Sequence, residues 1–168
     1  MMERSQRTGD AVQEIMDAYS GMVYRLAYAR TGNRADADDV YQEVFFKLFR
    51  TRPRLESEAH LRAWLIRTTI HTSVNLLRSA WRRHVRPLPD GYDAPDLSFS
   101  DDGRLSELRK ALMRLPEKQR IVIHLYYYEQ LSTEEIAELL GEKGATVRSR
   151  MKRGRERLRS LLTETEVE

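Results

Sequence analysis

The sequence predicts an all-α protein: two small helical domains joined by a flexible acidic linker, the second containing a helix-turn-helix. Three observations carry this. Apolar residues recur at helical spacing along most of the 168 residues, with no convincing strand alternation. Prolines, glycines and aspartates gather between residues 84 and 103. Charge is laid out in blocks: residues 1–84 carry 14 basic and 10 acidic side chains, residues 85–102 one and five, and residues 103–160 14 and eight. Two basic blocks separated by an acidic stretch suggest two nucleic-acid-facing modules and a connector.

In chain order, a first helix is expected from Asp10 to about Arg30, its buried stripe supplied by Val12, Ile15, Met16, Tyr19, Val23, Leu26 and Ala27. Gly32-Asn33 stops it. A second helix runs from about Ala35 to Arg50 and is broken by Pro53. A third starts near Ser57 and continues to about Arg83, with Leu61, Trp64, Leu65, Ile70, Val74 and Leu77 on its apolar side. The linker, residues 85–102, holds Pro87, Pro89, Pro95 and five aspartates; proline removes helix donors and like charge resists compaction. Helices are then expected near 104–114, 117–129, 132–140 and 145–161, with Pro116 at a first helical position and Ser132 with Glu135 forming a capping box. The domains are thus 10–84 and 103–162.

Composition narrows the function. With 33% charged and 40% hydrophobic residues the chain reads as folded and helix-rich. It has no cysteine, which excludes disulfides and thiolate metal sites. No apolar run approaches the roughly 20 residues of a membrane span, so a soluble, cytoplasmic protein is expected. His60, His71, His84 and His124 make no metal pattern, and no phosphate loop or nucleophile motif is present. No enzymatic activity, cofactor, metal or small-molecule substrate is expected.

The most informative segment runs from Ser132 to Arg159. Two helices that cross steeply need a small residue at their closest approach, a left-handed turn after the first, and an apolar residue one turn into the second. Ala137, Gly141 and Val147 stand at those places. The second helix has seven basic residues between Arg148 and Arg159 against the single acid Glu156. Val147, Met151 and Leu158 turn inward on a helical wheel, leaving Arg148, Ser149, Lys152 and Arg153 outward where base edges and phosphates can be met. A solvated basic face on a bundle helix is the alternative, and the spacing of the three small or apolar positions weighs against it.

The second helix of the chain offers a different face. Val40, Tyr41, Val44, Phe45 and Leu48 make its core stripe, while Asp39, Gln42, Glu43 and Phe46 lie opposite. An outward Phe beside carboxylates and an amide suggests a protein partner; the alternative is that Phe46 packs under a neighbouring helix. At the end of the third helix Arg78, Arg82 and Arg83 surround Trp81, a mixture suited to a strand-tracking groove or, more plainly, to a basic helix end with Trp81 over the core. Tyr126, Tyr127 and Tyr128 could look like a stacking platform, but are expected to pack the second domain, since two of three adjacent helical positions can be partly buried.

Taken together these residues resemble a bacterial RNA polymerase sigma factor of the extracytoplasmic-function group, over about residues 10–162. Asp36-Ala37-Asp38-Asp39-Val40-Tyr41-Gln42-Glu43-Val44-Phe45 is similar to the family's helix that docks on the polymerase clamp. Ala63-Trp64-Leu65-Ile66-Arg67 through Asn75-Leu76-Leu77-Arg78 is similar to its −10 segment, and Leu115-Pro116-Glu117-Lys118-Gln119-Arg120 through Arg157-Leu158 to its −35 module.

The resemblance implies a dissociable subunit that binds core RNA polymerase and promoter DNA, recognises −35 and −10 elements and aids melting. It assigns Asp39, Gln42, Glu43 and Phe46 to polymerase. It assigns Leu55, His71 and Asn75 to a pocket for a flipped −10 base, with Arg78, Arg82 and Arg83 on the opened strand. Arg148, Ser149, Lys152 and Arg153 fall to the −35 duplex, and the acidic linker to the polymerase's RNA channel. An anti-sigma factor is implied as a further partner. Two departures stand out: many relatives have Asn where this chain has His71, and Glu142 follows Gly141 where an apolar residue is usual, so that the turn is either loosened or finds a local partner. The alternatives are a free-standing helix-turn-helix regulator, against which the Asp39–Glu43 face and the linker argue, and a sigma mimic that sequesters an anti-sigma factor, which has no need of so basic a helix.

Overall fold

Residues 2–31 contain no proline, and in the computed structural model they form one helix, α1 (Met2–Thr31). The structure describes residues 2–82 and 103–165, with side chains at 9–79 and 107–164. The helix begins well before the predicted start at Asp10, because the polar residues ahead of Asp10 carry no apolar periodicity to reveal it. It ends where Gly32 enters the left-handed region at φ 80, its N–H donating to the Tyr28 carbonyl at 2.8 Å. Asn33 then caps α2 (Arg34–Thr51): its Oδ1 accepts from the Asp36 amide at 2.9 Å and its Nδ2 donates to the Asp36 carboxylate at 2.7 Å. Pro53 disfavours right-handed helix at the residue before it. Arg52 accordingly turns to φ 42, ψ 61, its N–H donating to the Leu48 carbonyl. An irregular stretch leads to α3 (Glu58–Arg82).

The three helices pack pairwise around Val23, Leu26 and Ala27 of α1, Val40, Val44 and Leu48 of α2, and Leu65, Ile66 and Ile70 of α3. The buried face of α3 is not purely apolar. Thr69 and Ser73 are fully buried, and each hydroxyl donates to the carbonyl one turn back, Leu65 and Thr69 respectively, at 2.7 Å. This is how polar side chains enter the core without an unmet hydrogen bond.

The second unit contains α4 (Gly103–Met113), α5 (Glu117–Tyr127), α6 (Thr133–Leu140) and α7 (Gly144–Thr165), and α7 packs on each of the other three. Its core centres on Ile121, Val122 and Leu125 of α5, Ile136 of α6, and Val147 and Met151 of α7. Pro116, predicted at the first helical position, stands instead at the cap of α5, one place before its first helical residue Glu117. The buried Arg120 reaches back across that break and donates to the carbonyls of Met113 and Leu115 at 3.2 and 3.4 Å. The all-α expectation is met: the described residues form seven helices and no strand. None of these helices is long and apolar enough to cross a membrane. The predicted linker, residues 85–102, lies outside the described residues.

Candidate DNA-reading and protein-docking faces

The helix-turn-helix is built from its caps upward. Ser132 Oγ accepts from the Glu135 amide at 3.1 Å, and the Ser132 amide donates to the Glu135 carboxylate at 2.7 Å, so both partners of the capping box are present. Gly141 ends α6 at φ 64, ψ 33, a conformation that glycine adopts without steric cost. The Glu142 amide donates to the Ala137 carbonyl at 2.9 Å, closing a turn in which only three residues, 141–143, separate α6 from α7. Ile136 and Val147 are fully buried across the crossing, and Ala137 is 9% exposed.

Arg148, Ser149, Lys152 and Arg153 are all exposed on α7, while Val147 and Met151 are buried beneath them. Electrostatics at the entry to this face is mixed. The Glu134 carboxyl is held below the usual carboxylate range, first by its own backbone N–H, then by the Thr133 and Ser132 hydroxyls, and last by the charge of Arg148. Glu142, the residue that departs from the usual turn, has a partner: Arg150 Nη1 donates to its Oε1 at 3.0 Å.

On α2, Asp39 and Gln42 are exposed and Glu43 is half-buried. Phe46 is 54% exposed, so it does not slide under a neighbour; the Arg50 guanidinium lies over its ring at 5.3 Å. Lys47 lies 3.9 Å from the Glu43 carboxylate and donates to Thr72 Oγ1 of α3 at 3.1 Å, which fixes this side of α2 against the bundle. The sequence reading missed Phe49, 47% exposed with Arg52 at 5.7 Å from its ring. The signal was available: Phe49 follows Gln42 by seven residues and so continues the same stripe.

His71, Asn75 and Arg78 fall on one exposed stripe of α3, at spacings of four and three residues, and Leu55 is half-buried in the irregular stretch before α3. Arg82 is described by its backbone alone, and Arg83 lies outside the described residues.

The tyrosines are more exposed than the sequence suggested. Tyr126, Tyr127 and Tyr128 are 36%, 54% and 43% exposed and do not pack the core. They fall at the end of α5, where Ile121, Val122 and Leu125 already fill the interior. Arg155 of α7 donates from Nε to the Tyr127 hydroxyl at 2.9 Å and lies over both the Tyr126 and Tyr127 rings, and Tyr128 stacks on His124. A shallow cavity of about 330 Å³ opens beside Tyr127, Arg155, Leu158 and Leu162.

Comparison with known proteins is consistent along the chain. Residues 15–83 match Sigma-70 region 2, and residues 105–158 match Sigma-70, region 4. The ECF RNA polymerase sigma factor SigE of Mycolicibacterium smegmatis is 36% identical over 156 residues; the match takes in 89% of this chain and spans 60% of that relative's length. The ECF RNA polymerase sigma factor SigL of Mycobacterium tuberculosis is 30% identical, with 93% of this chain and 91% of the relative covered. The fold is that of the sigma factor RpoE from Bartonella quintana, solved in complex with the anti-sigma factor NepR, with a TM-score of 0.66 at 23% identity, covering 90% of this chain and 96% of that one. The chain belongs to the ECF RNA polymerase sigma factors, which act in transcription initiation.

Proposed function

We propose that this chain works as a dissociable subunit of RNA polymerase, one domain (10–84) holding the enzyme and the opened −10 strand and the other (103–162) gripping the −35 duplex. The observation that carries this is the tight turn at Gly141, which presents an exposed basic face of α7 over a buried Val147 and Met151. A helix supported in this way enters a major groove, where arginine can donate two hydrogen bonds to guanine. Arg148, Ser149, Lys152 and Arg153 make the −35 contacts.

On the other domain, Asp39, Gln42, Glu43 and Phe46 meet core polymerase, an apolar ring rimmed by polar groups being what a docking centre requires. His71 and Asn75, with Leu55, receive the flipped −10 base, and Arg78, Arg82 and Arg83 track the strand. The chain itself makes and breaks no bond. An anti-sigma factor is a fitting partner, as with the RpoE relative, and the work is done in the cytoplasm.

The test is to mix the chain with core polymerase and footprint a promoter in which −35 and −10 elements are varied separately. Protection and opening that need both elements support the reading. Binding to isolated duplex with no requirement for polymerase would replace it with a free-standing regulator. Arg148→Ala or Arg153→Ala is expected to remove about 1–3 kcal/mol of −35 discrimination if base edges are read, and to weaken all sequences alike if phosphates alone are touched.

A further inference from the structure

The basic run on α7 is not used uniformly. Arg148, Lys152 and Arg153 are exposed, whereas the Arg150 side chain is only 19% exposed and its guanidinium is committed to Glu142 at 3.0 Å. Helical geometry places Arg150 about 160° around the axis from both Arg148 and Lys152 but only about 60° from Arg153, so what withdraws it from the DNA-facing side is its low exposure and its bridge to Glu142. Glu142 is the second residue of the turn, anchored by its own amide to the Ala137 carbonyl of α6 at 2.9 Å. One carboxylate therefore ties the end of α6 to the second turn of α7.

We propose that Arg150 is a positioning residue withheld from DNA, and that its bridge to Glu142 fixes the direction in which α7 leaves the turn. This rests on the reading of α7 as the −35 helix. The family's usual turn relies on an apolar residue after the glycine. Here a charged pair takes that place, and the cation it consumes is subtracted from those available to phosphates.

The physical consequence is a sign. Were Arg150 a DNA contact held in competition by Glu142, removing Glu142 would free it and strengthen binding. Since it positions the helix, removing either partner weakens binding alike. An arginine that touches no phosphate also releases no counterion, so its loss leaves the salt slope unchanged.

The experiment uses holoenzyme assembled from the full chain and core polymerase, and measures −35-dependent promoter affinity against salt for Glu142→Ala, Arg150→Met, the charge swap Glu142→Arg with Arg150→Glu, and Arg153→Met. Hydrogen exchange of the Val147 amide, which donates to the Lys143 carbonyl across the turn, is followed in the free chain. Expected is an equal loss of about two- to fivefold in both single variants, the range a partly exposed pair supports. The salt slope should be unaltered, Val147 exchange faster, and both effects reversed by the swap. Arg153→Met should lower the slope by about one.

A lowered slope in Arg150→Met with tighter binding in Glu142→Ala would overturn the proposal, and so would wild-type exchange in both single variants. If Arg153→Met changes neither affinity nor slope, it is the assignment of α7 to DNA that has failed; exchange at Val147 then still decides whether the bridge holds the turn.

Discussion

A Cβ placed on Gly154 would sit 3.1 Å from Ile123 Cγ1 and 3.3 Å from its Cδ1, so α7 crosses α5 at a distance that glycine sets. Ile123 is itself 2% exposed and has little room to move. Gly154→Val is expected to destabilise the second unit by roughly 1–3 kcal/mol through overpacking. Gly154→Ala should lose less, since alanine recovers about 1 kcal/mol of helix propensity. Urea unfolding followed by circular dichroism measures both; a valine variant as stable as the wild type would show that the crossing is loose.

The exposed ring of Phe46, with Arg50 over one face, makes a prediction for docking. Phe46→Ala should weaken affinity for core polymerase by about 1–2 kcal/mol, as an aromatic at the centre of an interface does, while the melting temperature stays within a degree or two because the ring supports no core. Joint replacement of Asp39, Gln42 and Glu43 by Ala should act in the same direction. A competition assay against a labelled sigma factor reads it out, and unchanged affinity would remove this face from the interface.

His71 stands exposed on α3, four residues before Asn75. Imidazole and carboxamide present different donors and acceptors to a base edge. His71→Asn is therefore expected to change the ranking of the four bases at one −10 position. Transcription from a promoter set varied at each −10 base tests this, and an unchanged ranking would take His71 out of the pocket.

Tyr24 links α1 to α2. Burial, followed by the charge and hydrogen bond of Asp38, pushes its hydroxyl up from 10.0 to about 12. A raised value means the neutral phenol is favoured in the folded state. Its contribution is whole below pH 10 and is lost as pH climbs from 10 towards 12. Tyr24→Phe, which lacks the hydrogen bond, should be about 1 kcal/mol less stable at neutral pH, and the gap should narrow over that alkaline window. Parallel unfolding curves for the two proteins across it would contradict the linkage.

The helix-turn-helix was readable because its requirements are local. Ser132 and Glu135 cap within one turn, Gly141 takes φ 64 without steric cost, and Val147 follows at helical spacing. The same holds for Asn33 ahead of α2 and Pro53 after it. The all-α class and the main core stripes followed from periodicity, which a helix imposes through its 3.6-residue turn.

What depended on other elements was not readable. Thr69 and Ser73 interrupt the apolar stripe of α3 yet are buried, because hydroxyls can bond one turn back and so lose nothing by leaving water. The tyrosines at 126–128 were expected to pack the second domain partly buried and are more exposed than that, because whether a helical position is covered is set by what packs against it; here Arg155 lies over Tyr126 and Tyr127, and Tyr128 stacks on His124. Likewise Glu142 and Arg150 are eight residues apart, a separation that no single helix brings together; the turn between α6 and α7 does. Sequence determined the elements, their ends and the chemistry of their faces, since these are fixed by neighbours within a turn or two. Tertiary structure decided which faces are covered and which charges are paired, since those depend on the approach of distant segments.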